Sequence, residues 1–240
     1  MRSKSEAEKL AVDIKRVACD AGANLVGIVS AEDIDALPPV RVGWKYQEYT
    51  KKTTDMLPDA KSIVVMGYHV WDDALEIAIR KNQKWVYPGY FPLPVLALTV
   101  INHLEKKGYR AVMADLISYK RLAQLAGFGD YGKNALIVNP EYGPWIRLIP
   151  ILTNAEMTTD KPFDQDLCGE CQSCIRACPT GALTPYKVDD AKCLVGFHIT
   201  SENLDKYSEK LAKYEPSLTK NAHIMCVECQ KACRYGKTRR

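Results

Sequence analysis

The chain lacks most of the features that would place it outside the soluble enzymes. Its longest apolar stretch, residues 90–101, is interrupted by Pro92 and Pro94. That is well short of the ~20 residues a bilayer-spanning helix needs, so no membrane partner is expected. The first residues, MRSKSEAEKLAVDIKR, hold neither an apolar signal core nor a twin-arginine pair. Export is therefore not expected, and the expected location is the cytoplasm. Charge of one sign is also missing. Lys and Arg number 33 against 29 Asp and Glu, a net charge of +4, which by itself makes no case for nucleic acid. No low-complexity segment or internal repeat is present apart from a doubled cysteine pattern. Hydrophobic residues at 47% and charged residues at 26% match a globular protein large enough for one large domain or two small ones.

Cysteine is what the chain has in excess. Eight of the nine fall in the last third. Cys168, Cys171, Cys174 and Cys178 form a C-x2-C-x2-C-x3-C run followed by Pro179. Cys226, Cys229 and Cys233 form a second run, and Cys193 stands between the two. Without an export signal, this many cysteines argue for metal rather than disulfides. C-x2-C pairs alone would also suit zinc. The third cysteine after two residues, and the fourth after three and before a proline, match the run of two-cluster ferredoxins. In that run three thiolates hold one cluster and the fourth reaches to the other. The reciprocal assignment gives one [4Fe–4S] cluster to Cys168, Cys171, Cys174 and Cys233. The other takes Cys178, Cys193, Cys226 and Cys229. Two departures mark a variant module: Arg234 follows Cys233 where proline is usual, and Cys193 is isolated. Cys19, on or beside the apolar face of an opening helix, reads as a buried core thiol.

The remaining periodicities describe a mixed α/β domain. Ala7, Leu10, Ala11, Ile14, Val17 and Ala18 have helical spacing over 5–20. Residues 24–29 and 62–68 read as strands, the second rich in β-branched residues. A helix over 95–107 stops at Gly108, and one over 119–126 stops at Gly127. Further strands are expected over 109–114, 135–138 and 145–152. The composition shifts near residue 160. The expected division is thus 1–160 for an α/β (α+β) domain and 161–240 for a ferredoxin-like domain that folds around its metal. A polar helical stretch near 203–213 and a basic tail (Lys237, Arg239, Arg240) complete the second.

The segment 125–147, LAGFGDYGKNALIVNPEYGPWIR, resembles the AGLG-x-x-GK-N … PEYG … R stretch of the cobalamin-dependent reductive dehalogenases and the epoxyqueuosine reductases. The stretches after it, ILTNAEM and TGALTPYKVDDAKC, resemble their continuation as far as the isolated cysteine, Cys193. The resemblance implies a nitroreductase-like domain carrying a base-off cobalamin, fed with electrons by the two clusters. It implies Asp115 as proton donor, with Tyr119 and Tyr131 as alternatives. Gly127, Gly129 and Gly132 would let the backbone approach the corrin. Tyr131 and Asn134 would contact the ring and its amides, Lys133 the phosphate or propionamides, and Arg147 a carboxylate or phosphate. For Asp115 the competing role is a helix N-cap; for the glycines it is turn geometry. None of the four histidines (His69, His103, His198, His223) lies in the Asp-x-His-x-x-Gly context that ligates cobalt.

Three functions follow from these readings. The first is a cobalamin-dependent reductase acting on a small molecule or a modified nucleoside, with an external donor such as a ferredoxin or flavodoxin. The second is an electron carrier that reduces a partner corrinoid protein, and the third is a flavin-dependent reductase. In epoxyqueuosine reductases helical repeats after the ferredoxin module help hold tRNA; none is expected in the residues up to Arg240. The basic tail offers only weak contact with phosphates.

Overall fold

The computed structural model describes residues 4–42, 48–82, 84–197 and 208–236. His198, the basic tail and residues 203–207 of the expected helical stretch lie outside them. The chain forms two compact units: Met1–His69, Pro92–Gly129 and Ile146–Gln165 make the first, and Val70–Phe91, Asp130–Trp145 and Asp166–Arg240 the second. The division is therefore not one cut near residue 160, because two stretches from the first 160 residues belong to the cysteine-bearing unit. Composition could not reveal this, since those stretches carry no cysteine. Among the described residues no helix is long and apolar enough to cross a membrane.

The first unit is built on a four-stranded sheet in the order Leu25–Ser30, Ser62–His69, Ile146–Thr153, Ala111–Met113, with every pairing antiparallel. Ile63, Val64, Val65 and Met66 of the central strand are fully buried. That strand reads as an unbroken apolar run rather than an alternation because both its faces are covered. The helices Lys4–Asp20 and Pro92–Lys106 share one core with it. Leu10, Ile14 and Ala18 meet Leu96, Val100, Leu104, Val64 and Ile151 there. Each buried Leu or Ile stabilises the fold by about 1.5–3 kcal/mol.

Cys19 is exposed, which overturns the expectation of a core thiol. It follows Val12 by seven residues, so both lie on one helix face, and Val12 is 64% exposed. The buried stripe runs through Leu10, Ile14 and Ala18 instead.

The motif-bearing segment is anchored by the same sheet. The helix Tyr119–Leu125 ends with Ala126 as its C-cap, and Gly127 follows with φ +77°. The Gly127 N–H donates to Gln124 O at 3.1 Å, and the Phe128 N–H to Ala123 O at 2.9 Å. This pairing satisfies the last helical carbonyls and requires a left-handed residue, which glycine adopts without strain. Phe128 is buried against the sites left open by Gly27 and Gly67. A Cβ on either glycine would stand 3.1 and 3.4 Å from its ring.

In the second unit, Ile77–Lys81 and Lys84–Val86 form a hairpin. It pairs with Ala222–Ile224, which pairs with Ser217–Thr219. Val70, Trp145 and Val227 make its small apolar core. Among the described residues between Cys193 and Cys226, Leu194–Phe197 and Ser208–Tyr214 are helical.

A Cβ on Gly27 would lie 2.8 Å from both the Cβ and the carbonyl oxygen of Ala126. Gly27→Ala is expected to lower the melting temperature and to cost about 1–3 kcal/mol by overpacking. Thermal unfolding of the two proteins measures it, and an unchanged midpoint would remove this contact from the account.

Candidate metal centre

The cysteine loops are shaped by short local hydrogen bonds. Asp166 Oδ1 accepts from the N–H groups of Cys168 and Gly169, both at 2.9 Å. These bonds, the one to Gly169 foremost, hold its carboxyl below the usual range. The Cys171 N–H closes a turn on Cys168 O at 2.9 Å. The helix Ser173–Ala177 then presents Cys174, and Cys178 caps it. Near the other end of the chain, Cys233 follows the helix Glu228–Lys231 and donates its N–H to Gln230 O at 3.1 Å.

Cys168, Cys171, Cys174 and Cys233 line one cavity of about 350 Å³, counting its open mouth, together with Lys133 and Arg234. Burial pushes the Cys174 thiol up, and the nearby Cys168, Cys233 and Cys171 push it further. The Ser173 hydroxyl, with its backbone N–H, holds the Cys171 thiol below its ordinary value. The other four thiols also act on one another. Burial raises Cys229 strongly, and Cys193, Cys226, Cys178 and Cys174 add to it. Burial likewise pushes Cys226 up to about 12, with Glu215 and Cys193 contributing. At Cys178 burial also acts upward, but the N–H groups of Thr180 and Ala182 outweigh it and hold the thiol low.

Cys168, Cys171, Cys174 and Cys233 thus line one cavity, while Cys193, Cys226 and Cys178, with Cys174, lie close enough to act on Cys229. Among the described residues no three His, Cys, Asp or Glu side chains converge on a single-ion site. The first four thiols ring a space instead. Thiols crowded in partly buried sites repel when ionised, and a bound metal group removes that cost by deprotonating them outright. Both sets fit iron–sulfur ligation in this respect.

Several other site residues lie elsewhere than expected. Lys133 is buried, at 9% exposure. Its Nζ donates to Gly169 O and its N–H to Cys168 Sγ at 3.4 Å, so it supports the first cysteine loop. Asn134 Oδ1 accepts from the Leu136 N–H at 3.2 Å, and Asn134 lines the same cavity. A Cβ on Gly132 would meet Val138 and Asn134 at 2.6 and 2.8 Å, and one on Gly127 would meet Lys161 O at 2.8 Å. The chain itself fills the space at both glycines. Gly143 in the PEYG stretch has φ +58° and packs against the backbone of Tyr235.

Asp115 lies in the loop between Ala111–Met113 and Tyr119–Leu125, and it is exposed. It is not the helix N-cap, which is Ser118, nor does it sit in a dry pocket. Its Oδ1 accepts from the Leu116 N–H at 2.8 Å, and Leu116 has φ +50°, a conformation uncommon outside glycine and worth a functional question. The Lys51 N–H pins this loop at Leu116 O, 2.8 Å away. Tyr119 is the drier neighbour. Its hydroxyl donates to Ala114 O at 2.9 Å, and burial, with the Asp115 charge, pushes its phenol up. Burial alone raises Tyr131. Arg147 is half-buried on Ile146–Thr153.

Sequence reasoning missed four residues that shape these sites. Asp166 leads the first loop. Arg234 donates to Leu167 O at 2.7 Å, and the missing proline after Cys233 was its signal. Glu215 is buried and accepts from the Cys226 N–H at 3.0 Å, with no local signal at all. Lys120 is pushed down by burial.

Fold and thiols together define a protein with an α/β domain and a double [4Fe–4S] cluster module. Residues 167–236 match the family model of the 4Fe-4S double cluster binding domain. Over most of its length the chain is similar to epoxyqueuosine reductases. The enzyme of Gloeobacter violaceus is 26% identical over 94% of this chain and 76% of its own. A crystal structure of epoxyqueuosine reductase with a tRNA-Tyr epoxyqueuosine-modified stem loop superposes with a TM-score of 0.73 at 23% identity. That match covers 96% of this chain and 66% of that one. A reductive dehalogenase, described in terms of B12-dependent dehalogenation, superposes with a TM-score of 0.66 at 21% identity over 97% of this chain and 32% of its own. At these identities the two structures establish the shared fold.

Cys193→Ala is expected to lower iron from about eight to about four per chain and to remove one of two cluster signals by EPR. Two intact clusters in that variant would overturn its place among the ligands.

Proposed function

We propose that the chain is a cobalamin-dependent iron–sulfur reductase of the cytoplasm that passes electrons from an external ferredoxin or flavodoxin to a reducible substrate. What supports the reading is the cavity lined by Cys168, Cys171, Cys174 and Cys233, with Cys178, Cys193, Cys226 and Cys229 proposed as the ligands of a second cluster. Similarity to epoxyqueuosine reductases along most of the chain supports it. The substrate class to test first is the epoxide of a modified nucleoside in a tRNA stem loop, as bound by the solved relative. A small organic molecule is the alternative.

When bound, the clusters would supply single electrons and the cobalamin a low-valent cobalt reductant. The chain's own part is to hold these groups and to provide protons. The residues that the resemblance assigns to cobalamin are Gly127, Gly129, Tyr131, Gly132, Lys133, Asn134 and Arg147, of which Gly127, Gly132, Lys133 and Asn134 also make close contacts within the protein. Asp115 is the proposed proton donor, on a loop fixed by Lys51 and Met56. Tyr119 beside it keeps its phenolic proton, because burial disfavours the phenolate. It can donate in turn or replenish the carboxyl.

The occupied glycines favour one second reading, an electron carrier that reduces a partner corrinoid protein. Anaerobic purification with iron, sulfide and cobalt analysis separates the two. About eight irons and one cobalt per chain are expected after reconstitution; full iron with no cobalamin uptake leaves the carrier. Asp115→Asn should keep both cofactors and lose about 10²–10⁴ in turnover of the epoxide. Full turnover in that variant would move the donor role to Tyr119, which Tyr119→Phe then tests.

A further inference from the structure

The two thiol sets sit in opposite electrostatic surroundings. Beside the first is Lys133, 9% exposed. It touches the Cys168 loop twice, through its N–H on Cys168 Sγ at 3.4 Å and its Nζ on Gly169 O. Beside the second is Glu215, 4% exposed. Its Oε1 accepts from the Cys226 N–H at 3.0 Å, and its Oε2 lies 3.5 Å from His223 Nε2. Trp85 meets the His223 ring edge to face at 5.0 Å and helps hold that imidazole in place.

Other charges lie near both sets but are less sheltered. Asp166, Arg176 and Arg234 around the first set are exposed, and water and salt screen them. They also differ in sign. Asp130 accepts from the Leu167 N–H at 3.2 Å and is partly buried, so it opposes Lys133 in part. Glu228 beside the second set acts in the same direction as Glu215. Hydrogen bonds to sulfur do not separate the sites, because the Ala182 N–H donates to Cys178 Sγ at 3.2 Å as Lys133 does to Cys168. The buried lysine and the buried glutamate remain as the difference.

We infer that Lys133 and Glu215 set the two clusters at unequal reduction potentials. The cluster on Cys178, Cys193, Cys226 and Cys229 is then the stronger reductant, and a single electron comes to rest on the other. The inference depends on the two-cluster reading above. Reduction adds one negative charge to a cluster. A nearby buried cation favours that charge and a nearby buried carboxylate opposes it, and net charge is among the determinants of cluster potential. Each cluster takes one electron from the reductant supplied. The electron therefore enters where the potential is low and is held where it is high.

The test is a redox titration of the reconstituted full chain with dithionite and mediators, followed by EPR. It is run at pH 8. Glu215→Gln keeps an acceptor for the Cys226 N–H and removes the charge. It should raise the lower potential enough to shift the electron's distribution about tenfold, about 59 mV for one electron. The higher potential should stay in place. Lys133→Gln should lower the higher potential and spare the lower one. Cys193→Ala, which retains only the first cluster, should titrate at the higher potential, and this arm needs neither charge variant to assemble. A surviving cluster at the lower potential would overturn the inference. So would a Glu215→Gln protein with both potentials unmoved. Wild-type protein with far fewer than eight irons would overturn the two-cluster reading itself, a different failure read directly from the metal analysis.

Discussion

A cube of iron and sulfur needs four thiolates around it, and a short loop can wrap only three of them around one corner. The fourth must come from far along the chain. Here Cys233 joins the loop of Cys168, Cys171 and Cys174 in one cavity, and Cys178, one helical turn beyond that loop, is the proposed ligand of the other cluster. The exchange ties the two loops to each other. The packing of Ser173–Ala177 beside Glu228–Lys231 follows from it, as does the anchoring of Arg234 to Leu167 O. So does the close approach of Gly143 and Gly236, where each backbone occupies the space a side chain would need. A unit with so small an apolar core as Val70, Trp145 and Val227 has little else to hold it, and binding energy at the metal becomes folding energy.

The first unit obeys a different rule. Its order comes from apolar area, with a doubly covered central strand and two helices sharing one core. Where that core meets the motif segment, the constraint is space. Gly27 and Gly67 clear the sheet surface for Phe128, and Gly127 lets the chain leave its helix in the one conformation that satisfies the last carbonyls. The glycines that read as a cradle for a flat ligand therefore have a sufficient reason inside the protein.

Much of this was legible in the sequence because it is local. The double-cluster domain over 167–236 follows from the cysteine spacing. The strands Leu25–Ser30, Ser62–His69 and Ile146–Thr153 and the helix Pro92–Lys106 follow from periodicity within a few residues of where they were expected. The proline-poor, β-branched run at 62–68 could hardly have been anything else. What escaped was set by distant contacts. The hairpin at Ile77–Lys81 is a strand because Ala222–Ile224 lies beside it. Cys19 is exposed because the second helix packs against a neighbouring stripe. Lys133 and Glu215 look like ordinary surface charges until the fold buries them against sulfur ligands. Asp115 was found as a residue but misjudged in its surroundings, since one strand end and one helix start do not reveal how much water reaches the loop between them.

The interleaving of the two units also has a consequence in time. A ribosome making this chain from its first residue completes every segment of the α/β unit by Gln165. The hairpin that ends at Val86 must wait until Ala222–Ile224 has been made before its outer edge is paired. Until then that edge is open to strands of other chains. Cells that make the protein quickly, or that run short of iron as the last cysteines appear, would hold a finished sheet domain with an unpaired ribbon hanging from it. Aggregation during synthesis, rather than loss of turnover, would then be the first sign of iron starvation.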